Sequence, residues 1–218
     1  MSLPLAYCLT WTCYGQRLHG DERGSVDRDH NARGSPLLAK DAAREARERA
    51  GMKGVPVLLD HGGCLIVDRA IAQLCEERRW ILLARNVRPT HSHVVVNCRG
   101  EITPERALAQ FKARGTAALR REGLATQDAR LWTHHGSTRW INHLFGLYRA
   151  IVYVNDWQSG ANRVILEEQK RRMRAQIEEL KQWLRSQGLR EDGRTVVVGE
   201  SSRERAERLN SGGPSRKN

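Results

Sequence analysis

The chain has 218 residues, enough for one substantial core with an appendage, and a formal net charge of +12 with a pI near 10.2. This arginine-rich positive charge favours a polyanionic partner, nucleic acid first and an anionic membrane surface second, because guanidinium groups pair with phosphate bidentately. No apolar run approaches the roughly 20 residues of a membrane-spanning helix, and the first residues lack the layout of a signal peptide, so we expect a cytoplasmic protein with no membrane partner.

The first third of the chain predicts one strand and two helices. Residues 5–14 are rich in aromatic and β-branched types and predict a strand that ends at Gly15. A polar, turn-rich loop follows over 15–38, and residues 40–50 form a charged helical pattern. Apolar residues at positions 67, 70, 71, 74 and 75 have the spacing of an amphipathic helix, which we expect to pack on a sheet.

The middle of the chain predicts a hairpin followed by a helix, a strand and a second helix. Residues 80–87 read as a buried strand, and a break at 88–90 leads directly into a second apolar strand. Thr103 is a good N-cap for a helix running to about Glu122. A short strand-and-turn segment over 131–141 and a helix from about Leu144 complete an antiparallel α+β pattern.

The last quarter of the chain differs in composition. Residues 163–189 form a charged helical segment with apolar residues at 166, 173, 177, 180 and 184, which we interpret as a peripheral or partner-binding helix. Residues 190–218 combine Gly, Ser, Arg and Glu with few apolar groups and predict a disordered basic tail. Residues 1–162 carry +7 of the net charge, so the folded part itself should bind anions.

Two histidines at a spacing of two stand out in the second hairpin strand. Side chains alternate between the faces of a strand, so His91 and His93 point the same way and are suited to hold one metal ion. The alternative is a pair of exposed or hydrogen-bonded strand histidines with no ligand. A metal would need a third ligand, for which the segment around residue 155 offers Asn155, Asp156 and Gln158.

The helix from Leu144 contains two tyrosines. Tyr148 belongs to an apolar i, i+3/i+4 stripe and is expected to face the core, whereas Tyr153 lies about 140° away around the helix on a small, basic side with Arg149. Tyr153 is therefore either a half-exposed helical tyrosine or a nucleophile, and a phenol needs a metal or positive neighbours to attack a phosphodiester at pH 7.

Further basic and aromatic side chains are candidates for nucleic-acid contacts. Lys112, Arg114 and Arg139 could bind phosphates or lie on a solvated surface. Trp11 and Trp140 could stack on bases, although burial in the sheet is the alternative.

Four segments, in order, resemble those of a known family. They are Leu9-Thr10-Trp11-Thr12-Cys13-Tyr14-Gly15 with Gly20-Asp21-Glu22-Arg23-Gly24, then His91-Ser92-His93-Val94-Val95-Val96, then Trp132-Thr133-His134-His135-Gly136-Ser137-Thr138-Arg139, and finally Tyr153-Val154-Asn155-Asp156-Trp157-Gln158. This set is similar to single-tyrosine HUH transposases, in particular REP-associated tyrosine transposases. The likeness covers roughly residues 5–160, and Ser92 stands where the family usually has a bulky hydrophobe.

The resemblance implies a ferredoxin-like (RRM-like) antiparallel sheet and a catalytic domain over residues 1–162. It also implies cleavage and rejoining of single-stranded, often hairpin-bearing DNA through a 5′-phosphotyrosine, with Mg²⁺ or Mn²⁺ as cofactor. His91 and His93 would be metal ligands and Tyr153 the nucleophile; Gln158 is the preferred third ligand, with Asn155 or Asp156 as substitutes. A homodimer, with the tyrosine acting in its own or the partner's subunit, stays open.

Two other functions fit the same residues. One is a nucleic-acid-binding module without catalysis, since a basic ferredoxin-like sheet also describes many RNA binders. The other is a metal-dependent phosphodiesterase that uses water, with Tyr153 incidental.

Overall fold

The fold is known from a computed structural model that describes residues 4–22, 24, 36, 38–155 and 163–188, without the side chains of 163–170, 172 and 173. In chain order the elements are β1 (Ala6–Thr12), α1 (Ala42–Ala50), α2 (His61–Glu77), β2 (Ile81–Val87), β3 (His91–Asn97), α3 (Pro104–Arg121), β4 (Ser137–Ile141), α4 (Leu144–Asn155) and α5 (Arg163–Ser186). Each predicted strand and helix is present. The predicted disordered tail, 190–218, lies outside the described residues.

The four strands form one antiparallel sheet in the order β2-β3-β1-β4. Strand β3 lies between β1 and β2, and β1 lies between β3 and β4, so two β-α-β units interlock through α2 and α3. This is the ferredoxin-like arrangement, and it confirms the predicted α+β fold class. Among the described helices, none is long and apolar enough to cross a membrane.

Helix starts follow local capping chemistry. The Asp60 carboxylate accepts a hydrogen bond from the Gly63 amide at 2.6 Å, so α2 begins at His61, six residues before the apolar spacing that predicted it. Thr103 caps α3 as predicted, with its hydroxyl accepting from the Arg106 amide at 3.4 Å. Both caps satisfy amides that the first helical turn leaves without backbone partners.

The sheet is covered on both faces. One face packs against α2 and α3 through an aromatic cluster that contains Trp11, Phe111 and Trp132. Trp11 is thus buried, whereas Trp140 on the edge strand β4 is 52% exposed. The other face packs against α4 and α5 through Leu5, Ala6, Ile81, Leu83, Ala84, Val95, Ile141, Leu147, Ala150, Ile151, Val154, Leu180, Trp183 and Leu184.

Helix α5 is part of this second layer. Its side chains Leu180, Trp183 and Leu184 are buried against the sheet and α4. The interpretation as a peripheral helix is therefore wrong for its last two turns, because three apolar residues at i, i+3 and i+4 suffice to anchor an otherwise charged helix. The domain boundary at residue 162 stays a prediction.

Ser92 lies on the α2/α3 face of the sheet, opposite the two histidines. It is fully buried, and its hydroxyl has no hydrogen-bond partner among the described residues. We expect Ser92→Ala to raise the free energy of unfolding by about 1 kcal/mol, because it removes an unpaired buried hydroxyl without adding volume. Urea unfolding followed by circular dichroism measures the change, and a loss of similar size would mean that the hydroxyl is satisfied by trapped water.

Candidate active site

The α4/α5 face of the sheet is divided into an apolar end and a polar end. Ala6, Val95 and Ile141 lie at the apolar end and are buried under the two helices. Strand alternation and the pairing register place a polar group toward the other end of the same face. Its members are Thr10, Thr12, His91, His93 and Ser137, while Arg139 lies on the same face in the row of Cys8 and Val95. The predicted metal ligands and one predicted phosphate-binding residue therefore share one face.

His93 is the most buried residue of this polar group, with 4% of its surface exposed. Its Nδ1 lies 2.8 Å from the hydroxyl of Thr10, its register partner on β1, while its Nε2 has no hydrogen-bond partner among the described residues. Burial, then the neighbouring His91, Arg17 and Arg88, lowers the pKa of His93 to about 4. The imidazole is therefore neutral at pH 7, the state in which it can bind a metal.

His91 completes the pair. Its Nδ1 lies 2.8 Å from the hydroxyl of Thr90, and its ring centroid lies 4.8 Å from that of His93 with the planes nearly perpendicular. Threonine hydroxyls thus orient both imidazoles through Nδ1. A hydrogen bond on one ring nitrogen fixes the direction of the other, which is how protein metal sites commonly hold histidine ligands.

Tyr153 lies against His93, one member of the histidine pair. Its ring centroid is 5.5 Å from that of His93, at an interplanar angle of 82°, and the side chain is 45% exposed. A hydrogen bond lies at each end of α4: the His143 ring accepts from the Gly146 amide of the first turn at 2.9 Å, and the Asn86 side chain of β2 donates to the Val154 carbonyl of the last turn at 3.0 Å, which ties α4 to the sheet. The helix therefore holds the Tyr153 ring against that of His93 and leaves part of the side chain open to solvent.

The expected core position of Tyr148 is wrong. Tyr148 is 54% exposed, because α4 packs on the sheet through Leu147, Ala150, Ile151 and Val154. The buried stripe is therefore rotated from the predicted one.

The surroundings of the histidines are positively charged. Arg17 and Arg88 both act on the pKa of His93 through their charge, and Arg139 lies exposed on β4 on the same face of the sheet. Positive charge around a phenol and two imidazoles suits a phosphate group. Sequence reasoning missed Arg17, Arg88, Thr10 and Asn86, because only the fold brings these separate segments to one place.

The residues present fit a divalent metal only in part. His91 and His93 supply two nitrogen donors, and the unpartnered buried Nε2 of His93 is the atom that a metal would satisfy. Within the part of the chain that the structure describes, no group of three His, Cys, Asp or Glu side chains could hold a metal ion. Gln158 and Asp156 lie outside the described residues, while Asn155 is the last residue of α4.

Lys112 and Arg114 lie on α3, which packs on the opposite face of the sheet. Lys112 donates to three carbonyl oxygens, those of Thr133, His134 and His135, at 2.8, 3.2 and 3.0 Å. Arg114 pairs with Glu77 of α2. These contacts give Lys112 a structural role, since an ammonium group has three protons to donate. The predicted phosphate contacts of all three basic residues stay predictions.

We expect Lys112→Met to lower the free energy of unfolding by about 2 kcal/mol, because it leaves three carbonyl groups of the turn before β4 without their charged donor. Urea unfolding measures the loss. The salt dependence of single-stranded DNA binding by the folded variant should match that of the wild type. A salt slope reduced by about one, with stability unchanged, would instead show that Lys112 binds a phosphate.

Neither a protein-family model nor a curated protein matches the chain. Among solved structures, the chain is similar to a REP-associated tyrosine transposase bound to a REP hairpin, with 11% sequence identity and a TM-score of 0.42. The alignment covers 71% of this chain and 66% of that one. Because similarity at this level carries no argument about function, the function is argued from the geometry of the site.

Proposed function

We propose that the protein cleaves and rejoins single-stranded DNA, with Tyr153 as the nucleophile and a divalent metal held by His91 and His93. One observation carries the proposal: the Tyr153 ring lies 5.5 Å from the ring of His93, whose buried Nε2 is unpartnered among the described residues. A half-exposed phenol beside a metal-competent imidazole is the arrangement that phosphodiester attack requires.

The proposed reaction exchanges one ester for another. The Tyr153 oxygen attacks phosphorus, a bond forms between them, and the bond from phosphorus to the 3′-oxygen breaks. The phenol proton leaves to solvent, to which the side chain is open, and the 3′-oxygen takes up a proton from water. The products are a 5′-phosphotyrosine and a free 3′-hydroxyl, so attack by another 3′-hydroxyl rejoins strands without an external energy source.

The chain's own groups have separate tasks in this reaction. Thr10 and Thr90 orient the two imidazoles, and Arg17, Arg88 and Arg139 provide the positive surroundings that attract the phosphate. A bound divalent ion would stabilise the charge that develops on the phosphate oxygens. The ring contact between Tyr153 and His93 of one chain supports the proposal that the tyrosine acts in its own subunit.

Of the two proposed ions, the imidazole donors of His91 and His93 favour Mn²⁺ over Mg²⁺. Imidazole nitrogen suits transition metals, whereas Mg²⁺ prefers oxygen ligands and keeps much of its water. Gln158 is the proposed third ligand, an amide oxygen that either ion accepts.

The test is incubation of the full chain with a labelled single-stranded oligonucleotide that carries a hairpin, in Mn²⁺, Mg²⁺ or EDTA. We expect a labelled protein band that survives denaturing electrophoresis in Mn²⁺, a weaker one in Mg²⁺ and none in EDTA. Nicked DNA without a covalent band would support a phosphodiesterase that uses water. Binding without either product would support a nucleic-acid-binding module.

A further inference from the structure

A row of side chains on α4 leads to Tyr153. Phe145, Arg149 and Tyr153 are spaced four residues apart, so they lie along one side of the helix with a rise of about 6 Å between neighbours. Phe145 is therefore about 12 Å from Tyr153 along the axis. The row ends at the proposed nucleophile.

Phe145 and Arg149 do not take part in packing α4 on the sheet. Phe145 is 69% exposed, and the sheet contacts of α4 come from Leu147, Ala150, Ile151 and Val154. The Arg149 guanidinium lies over the Phe145 ring, with Cζ 5.8 Å from the centroid. An exposed phenylalanine with an arginine over its ring combines a stacking surface with a positive charge.

We propose that Phe145 and Arg149 bind the DNA strand next to the scissile phosphate, an inference that rests on the proposed function. A base stacks on the Phe145 ring, and the Arg149 guanidinium binds a phosphate between that base and Tyr153. Aromatic side chains and arginine are the groups by which proteins bind single strands without reading sequence.

Charge favours a nucleic-acid strand over a second copy of the chain on this surface. Each copy carries a net charge of +12, so two copies repel one another, whereas a strand is attracted. Arg149 would also lie at the contact between two copies, where it would have to be desolvated. A strand neutralises the same arginine.

The experiment measures binding by fluorescence anisotropy with the full chain in EDTA, so that no cleavage occurs. Two labelled strands of equal length are compared, one of thymidine nucleotides and one with abasic sites. We expect Phe145→Ala to weaken binding of the thymidine strand about tenfold and to leave the abasic strand unchanged. Arg149→Gln should weaken both strands and reduce the salt slope by about one.

Two matched controls come from the α3 side of the sheet, the face opposite the site. Leu124, just after α3, is 51% exposed, and the Arg121 side chain at the end of α3 is 70% exposed. Leu124→Ala and Arg121→Gln remove an exposed apolar group and an exposed charge elsewhere, and we expect wild-type binding of both strands by Leu124→Ala. Arg121→Gln should lose less affinity than Arg149→Gln, because the Arg121 side lies across the sheet from the site.

Three results would overturn the inference. The first is unchanged binding of the thymidine strand by Phe145→Ala, and the second is an equal loss on the abasic strand. The third is a wild-type dimer, seen by light scattering, that Phe145→Ala converts to a monomer, since the surface would then join two copies. If the wild type forms a covalent adduct in Mn²⁺ but Phe145→Ala binds the thymidine strand normally, this inference alone is overturned. If Phe145→Ala loses affinity only for the thymidine strand and the wild type forms no adduct, stacking is supported and the proposed cleavage is overturned.

Discussion

Tyr153→Phe is expected to lower the rate of covalent adduct formation at least about a thousandfold, because it removes the only oxygen of that side chain and leaves its ring in place. The ring contact with His93, at 5.5 Å between centroids, should persist, so metal binding and folding should not change. Labelled hairpin DNA in Mn²⁺, followed by denaturing electrophoresis, measures both the adduct and the nicked strand. Both should disappear together.

Tyr148→Phe is the matched control. Tyr148 lies on the same helix and is 54% exposed, close to the 45% of Tyr153, but it is five residues away and has no ring contact with either histidine of the pair. Its loss of a hydroxyl should leave the adduct rate at the wild-type level. An adduct that persists in Tyr153→Phe and vanishes in Tyr148→Phe would transfer the nucleophile assignment to Tyr148.

The sequence was sufficient to predict the strands, the helices that connect them, and the placement of both histidines on one face of β3. Alternation along β3 places His91 and His93 on one face whatever that strand pairs with. Alternation along β3 does not reveal that α4 covers this face, or that β1 places Thr10 opposite His93. The position of α4 and the pairing of Thr10 with His93 depend on strand order and register. These are set by the packing of the whole sheet and cannot be read from one strand alone.

Helix α4 shows where a periodic pattern fails. It is apolar on nearly every side, so two overlapping stripes satisfy the helical spacing equally well. The stripe that includes Tyr148 was predicted, and the one that includes Ala150 and Val154 is buried. The prediction that Tyr153 lies off the core was nonetheless confirmed, since Tyr153 is 45% exposed.

In helix α5 it is the overall composition, not the periodic pattern, that misleads the prediction. Its charged residues outnumber its apolar ones, and composition favours a solvated helix. Burial of the helix depends instead on a narrow apolar stripe near its C-terminal end, where Leu180 and Leu184 are completely buried. A long charged helix can therefore close one layer of a small domain, because the charged ends of its outer side chains remain in water.

His93→Ala is expected to lower the affinity for Mn²⁺ at least about a hundredfold, because it removes the buried Nε2 that would bind the ion. Isothermal titration with Mn²⁺ measures this loss directly, without reference to catalysis. Adduct formation should fall in parallel. The side chain is 4% exposed, so its truncation also leaves a cavity between the strands, and circular dichroism must show that the variant is folded.

His91→Ala provides a second variant at a less buried position, and we expect the same loss of Mn²⁺ affinity from a protein that is closer to wild-type stability. His135→Ala is the control: it lies in a second histidine pair whose facing ring nitrogens, Nδ1 of His134 and Nε2 of His135, are 3.1 Å apart and exposed. Its Mn²⁺ affinity should equal that of the wild type. If His135→Ala loses the metal while the variants at 91 and 93 retain it, the metal belongs to the turn before β4, and the phenol of Tyr153 would have no metal beside it.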